Sequence, residues 1–138
     1  MVKLRHTLTF TTRHQYNLAK NGITVPVALR VGDRGVIVPD TKVDTGASFC
    51  IFHQGFGESL GLNVKGGHKV SIRTATEPFS AYGHEVSLSA LGLELYVLVY
   101  FAEVSRNVLG RRGWLEQVRI GIIDHDGELF VSAYDDEN

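Results

Sequence analysis

Residues 23–31 alternate more strictly than any other stretch of this chain. Ile23, Val25, Val27, Leu29 and Val31 are separated by Thr24, Pro26, Ala28 and Arg30. A period of two marks a strand with one buried face. Pro26 has no N–H to give to a ladder, so the strand is expected to have a free edge there. Gly32-Asp33-Arg34-Gly35 supplies a turn, and residues 35–43 return as a second strand. That hairpin delivers Val43-Asp44-Thr45-Gly46-Ala47-Ser48, an acid carried by an aliphatic run onto a tight turn. Gly46 permits positive φ and close backbone approach, so the turn can push the Asp44 carboxylate out of the strand end. The Thr45 hydroxyl and the turn's N–H groups can then orient it. Standing alone, an Asp-Thr-Gly turn is no more than a polar turn with a solvated acid.

The remaining segments also read as strands and turns. Residues 4–11 are expected to form a leading strand and residues 13–22 a loop. Phe49-Cys50-Ile51-Phe52 is a short apolar strand, and the glycine-rich 55–62 gives at best one helical turn. Residues 68–74 alternate as a strand, 75–83 form a polar tip, and 84–90 go back with Val86 and Leu88 on one face. Gly66-Gly67 is a second place where this hairpin could hinge. Residues 91–102 read as a strand pair, or as one strand broken at Gly92. The apolar run Leu95 to Phe101 is far short of the ~20 residues of a membrane helix, and is expected to be a strand buried on both faces. Residues 111–117 suit a short helix. Two more strands, 118–123 and 129–134, flank Asp126-Gly127, a pair that favours hairpin turns. The acidic tail Asp135-Asp136-Glu137 is expected to fray.

Composition narrows the classes of function. With 138 residues, 43% of them hydrophobic, the chain suits one domain with its own core. Fourteen basic and fifteen acidic residues nearly balance, so no basic field argues for nucleic acid. The first residues, Met1-Val2-Lys3-Leu4-Arg5-His6, have no apolar signal-peptide core. Cys50, the one cysteine, has no partner for an internal disulfide, which points to a reducing, cytoplasmic setting. Beside the Asp44 turn it reads as a small buried apolar residue rather than a nucleophile. His6, His14, His53, His68, His84 and His125 show no metal-ligand spacing, and nucleotide-binding and serine-nucleophile motifs are absent. No metal, cofactor, nucleic acid or membrane is expected.

Val43-Asp44-Thr45-Gly46-Ala47-Ser48 resembles the active-site signature of aspartic proteases. Val108-Leu109-Gly110-Arg111 resembles the apolar-apolar-Gly stretch that retroviral-type members place beside that loop. One signature followed by one such stretch resembles the half-sized, retropepsin-like branch, and the likeness spans roughly residues 22–132. It implies an all-β, single-domain retropepsin-like acid-protease fold over residues 1–138. Closed, barrel-like sheets would carry one short helix and assemble as a two-fold homodimer. It also implies an aspartic endopeptidase in which Asp44 is the acid/base, Thr45 steadies two facing loops, and Gly46, Ala47 and Ser48 line the floor under a peptide. The 74–83 tip, with Thr74, Ala75, Thr76 and Glu77, takes the place of the flap. Val108, Leu109, Gly110 and Arg111 would support the catalytic turn.

Amide hydrolysis by carboxylates needs a base for the attacking water and an acid for the carbonyl oxygen. Two adjacent carboxyls sharing one proton provide both. This chain has one signature, so a second Asp44 must come from a symmetric copy. Ser48 stands where retroviral enzymes often carry an acid that pairs with the Arg after the Gly. Arg111 is therefore expected to pair elsewhere, with Glu116 or an acid of the other chain. Lys42, where an apolar pocket residue is usual, reads either as a solvated strand lysine or as a pocket cation favouring acidic substrates. A different class of function, a dimeric peptide-binding or scaffolding module with little turnover, would fit the same fold.

Overall fold

A computed structural model describes residues 3–137. Met1, Val2 and Asn138, which the expected domain span includes, lie outside it. The strands in chain order are β1 (Thr12–Gln15), β2 (Thr24–Val31), β3 (Arg34–Val43), β4 (Ile51–His53), β5 (His68–Ile72), β6 (Phe79–Ala90), β7 (Leu93–Ala102), β8 (Asn107–Leu109), β9 (Val118–Ile123) and β10 (Glu128–Ala133). One α-helix, α1 (Gln54–Ser59), follows β4, with its first turn capped by His53, whose Nδ1 accepts from the Gly55 N–H.

Seven strands form one sheet in the order β2-β3-β8-β4-β7-β6-β5, and β2 also pairs with β6. That extra pairing, Ala28–Arg30 against Ser87–Ser89, closes the sheet into a barrel. Closure follows from the strict alternation of β2. Val25, Val27 and Leu29 are fully buried, so the strand has one fixed inward face and can pair on both edges. Pro26 lies outside the β6 pairing, which covers only Ala28–Arg30, and on the β3 side it sits at a register shift between Val25 and Val27. The strand is thus unpaired on the β6 side there, as expected, and the bulge absorbs the missing donor on the other. Leu91 and Gly92 link β6 to β7 with φ of 51° and 82°. Paired positive φ values match the twist of a two-residue hairpin.

The second sheet, β1-β10-β9, is antiparallel throughout. Leu129 and Val131 are fully buried and join the same core as Phe52, Phe101, Leu109 and Trp114. Residues 4–11, expected as a strand, have no regular structure beyond a bend at Thr11, and the strand falls instead on 12–15, largely within the expected loop. What orders 12–15 is distant: Tyr16 N–H donates to the Gly127 carbonyl (2.9 Å) and its hydroxyl to Asp124 (2.5 Å).

Three further expectations are corrected. β7 is buried on both faces only from Val99 to Ala102, while Tyr96 (71%) and Leu98 (41%) are exposed. Residues 111–117 contain only a 3-10 turn, Leu115–Gln117, and the helix is α1 instead. The acidic tail is held as far as Asp136. Its carbonyl accepts from Arg119 Nη1 (3.3 Å), and its carboxylate lies 3.7 Å from Arg119 Nη2.

Trp114 is fully buried and its indole N–H has no partner among the described residues. An unpaired buried donor costs about 1–3 kcal/mol, which offsets part of the benefit of burying the ring. Trp114→Phe is therefore expected to stay within about 1 kcal/mol of wild type in urea unfolding, whereas Trp114→Ala should lose about 3–5 kcal/mol.

Candidate active site

β8 is inserted between β3 and β4, which are consecutive in sequence. It runs parallel to β3, with Lys42 opposite Val108 and Val43 opposite Leu109, and meets β4 antiparallel at Ile51–Val108. The segment 44–50 must therefore loop around the end of β8. Asp44 extends the ladder by one bond, its N–H donating to the Leu109 carbonyl (3.0 Å). The chain then turns: Gly46 N–H donates to Asp44 Oδ1 (2.9 Å) and Ala47 N–H to the Asp44 carbonyl (3.2 Å). One carboxylate oxygen is thereby fixed by the backbone on a half-buried acid. Thr45 and Gly46 are exposed beside it, and the Thr45 hydroxyl has no partner within the chain among the described residues.

The apolar-apolar-Gly stretch lies directly against this turn. A Cβ on Gly110 would sit 2.2 Å from the Phe49 carbonyl oxygen and 2.8 Å from that of Ala47. Arg111 N–H donates to the Ala47 carbonyl and Arg112 N–H to that of Ser48, both at 2.9 Å. Leu109 is fully buried beneath and Val108 half-buried. Arg111 does not make the ion pair considered for it with Glu116. That carboxylate accepts from the Gly113 N–H instead (3.1 Å), and no ion pair of Arg111 occurs among the described residues. The Lys42 stem lies over Gly22, where an added Cβ would be 2.6 Å from Lys42 Cε.

The hairpin between the two motifs is β5–β6. Its turn is 73–78, shorter than expected, because residues 79–83 are paired with β5. Thr74 organises the turn: its hydroxyl receives the Glu77 N–H (3.1 Å) and donates to the Glu77 carbonyl (2.6 Å). Ala75 and Thr76 lie exposed at its apex. Gly67 is unsuited to hinging, since a Cβ there would come within 2.4 Å of both the Gly83 carbonyl oxygen and His84 Nε2. The His84 ring is also fastened to the Val64 carbonyl (2.8 Å).

Sequence reasoning missed an apolar cluster between this hairpin and the turn. Phe49, Ile51, Val70, Ile72, Phe79 and Val104 pack around Ala81, Tyr100 and Ala102. A cavity of about 220 Å³ opens among Ile51, Phe79, Val104, Ser105, Arg106 and Val108. The signal was faint: Phe79 and Val104 stand in polar, turn-rich surroundings where a lone apolar residue invites no comment.

Cys50 is buried behind the turn. Burial first of all, helped by the negative charge of Glu116 and opposed by a backbone hydrogen bond to Gly110, pushes its thiol up to about 12. Among the described residues no group of three His, Cys, Asp or Glu side chains is placed to hold a metal ion. No helix is long and apolar enough to cross a membrane.

No family model matches the sequence, and no curated protein matches it. Among solved structures the chain is similar to EIAV protease complexed with the inhibitor HBY-793. The TM-score is 0.53 at 20% identity, over 71% of this chain and 88% of that one. The fold is retropepsin-like. The closed barrel, the single short helix and the strand inserted beside the Asp44 turn are this chain's version of it.

Two outcomes follow from the geometry. Gly110→Ala is expected to lower stability by about 3 kcal/mol, because backbone carbonyls rather than side-chain tips block the methyl. Gly32→Ala, whose φ is +60° with open space around it, should cost only about 1 kcal/mol; urea unfolding compares the two. A thiol raised above its ordinary value stays protonated at neutral pH and reacts slowly. Iodoacetamide should therefore label Cys50 slowly in the native protein and rapidly in urea, as read by mass spectrometry.

Proposed function

We propose that this protein is a homodimeric aspartic endopeptidase, a single domain with residues 22–132 at its core. The observation that carries the reading is the Asp44 turn. A carboxylate emerges from a barrel strand, with one oxygen held by the Gly46 N–H and the turn braced from behind by Leu109 and Gly110. The retropepsin-like fold supports it, as does the inhibitor bound to the similar EIAV protease. One chain supplies one such acid, so the reaction needs a second copy across a two-fold axis, which sets identical loops face to face.

In the dimer the two Asp44 carboxyls share one proton, because like charges a few ångströms apart resist joint ionisation. The ionised carboxylate takes a proton from water as the oxygen attacks the peptide carbonyl. The protonated one gives its proton to the carbonyl oxygen. The exposed Thr45 hydroxyls steady the loops against each other. Gly46, Ala47 and Ser48 form the floor, and the β5–β6 hairpin with Thr74–Glu77 closes over an extended peptide held by main-chain hydrogen bonds. The apolar cavity bounded by Ile51, Phe79 and Val108 takes a substrate side chain.

Purified protein should cleave members of a peptide library, and Asp44→Asn should reduce the rate by at least about 100-fold. An Asn at 44 can still accept the Gly46 N–H, so the variant should unfold at the same urea concentration as wild type. Equal cleavage by both would point to a contaminant; cleavage by neither would favour the peptide-binding module. The dimer has its own signature. Mixing equal amounts of wild type and Asp44→Asn should cut the wild-type signal by roughly half once subunits exchange, because mixed dimers carry a single acid. An unaltered signal would mean that each chain works alone.

A further inference from the structure

A second cavity, of about 300 Å³, opens beside the Asp44 turn and is lined by Ser48, Arg111, Arg112, Leu115 and Glu116. Its place is fixed by backbone: Arg111 and Arg112 donate their N–H groups to the Ala47 and Ser48 carbonyls, so both side chains start from a rigid clamp on the turn. Its charge is unbalanced. The ion pairs among the described residues use Arg13, Lys20, Arg30 and Arg119, and neither Arg111 nor Arg112 takes part. Glu116, the one acid on the wall, has an oxygen engaged by the Gly113 N–H. Two guanidinium groups against one such carboxylate leave the cavity with a net positive charge.

Guanidinium stays charged at all ordinary pH values, and its planar fork matches a carboxylate. The exposed Ser48 hydroxyl adds a donor, and Leu115 adds an apolar wall for a methylene stem. The geometry points to a carboxylate-binding subsite that receives an acidic side chain of the bound peptide, a few residues from the bond that is cut. The inference rests on the endopeptidase reading, because Ser48 lies four positions along the floor from Asp44. It assigns a specificity role to Arg111 and Arg112, the cations that no acid within the chain neutralises.

The test separates recognition from turnover by measuring binding to Asp44→Asn protein. Fluorescein-labelled decapeptides with an apolar centre would carry one Glu, or Gln in its place, at successive positions. Fluorescence anisotropy should show, at one position, Glu binding at least about tenfold tighter than Gln. The preference should vanish when Arg111→Gln and Arg112→Gln are added, and shrink as salt rises from about 0.05 M to about 0.5 M. The salt series needs no new variant and reads the charge even if the triple variant fails to fold. Equal binding of Glu and Gln at every position, or a preference that survives the arginine changes, would overturn the subsite. Dissociation of the dimer in Arg111→Gln/Arg112→Gln by sedimentation, with no Glu preference, would also overturn it and assign the carboxylate to the partner subunit. Charge-dependent binding without cleavage by wild type would sink the endopeptidase reading and leave the subsite standing.

Discussion

The contact on which the rest of the structure depends is the one at Gly110, where a backbone without a side chain presses on the Phe49 and Ala47 carbonyls. It can form only because β8 lies between two strands that are neighbours in sequence, so the loop joining them has to pass over its end. Turn and insert then hold each other. Asp44 is tied to Leu109, Ala47 to Arg111 and Ser48 to Arg112, each by a main-chain hydrogen bond. Among the turn's side chains only Asp44 helps to hold it, through the one oxygen that takes the Gly46 N–H. That leaves the second Asp44 oxygen, Thr45 and Ser48 uncommitted, an arrangement suited to presenting reactive groups at a barrel end.

How legible this was in the sequence depends on how far apart the cooperating residues are. The β2–β3 hairpin and the Asp44 turn were plain, because alternation and turn chemistry are local. So was the pairing of two distant motifs, though through resemblance rather than through any local pattern. β1 was misplaced by a few residues because its four residues carry no apolar period. They are ordered by Tyr16 reaching Asp124 and Gly127, more than a hundred positions away. The helix expected after Gly110 gave way to a 3-10 turn, and the clamp explains why. Main-chain bonds to Ala47 and Ser48 commit Arg111 and Arg112, and Gly113 at φ +99° then turns the chain away.

The site divides along the same line. The acid, its glycine and the supporting apolar pair were named from sequence. The apolar cluster around Phe49, Ile51, Phe79 and Val104 was not, since its members come from separate loops and strand ends that only the closed barrel gathers. Nor does sequence spacing show that Glu116, five positions from Arg111, turns to the Gly113 N–H instead. Charge complementarity cannot be read from a string when a nearer backbone donor competes for the same oxygen.

β6 is a single twelve-residue strand that serves two structures at once. From Tyr82 onward it is bonded to β7 inside the barrel, but Phe79–Ala81 have only β5 beside them. The hairpin is thus a cantilever: a two-stranded ribbon clamped at one end into a stiff wall. Three facing residue pairs, Val70 with Ala81, Ser71 with Ser80 and Ile72 with Phe79, make up its free length. Such ribbons twist more readily than wider sheets. Bending would concentrate just beyond Tyr82, and it would have to lift Ile72 and Phe79 from the apolar cluster against which they pack.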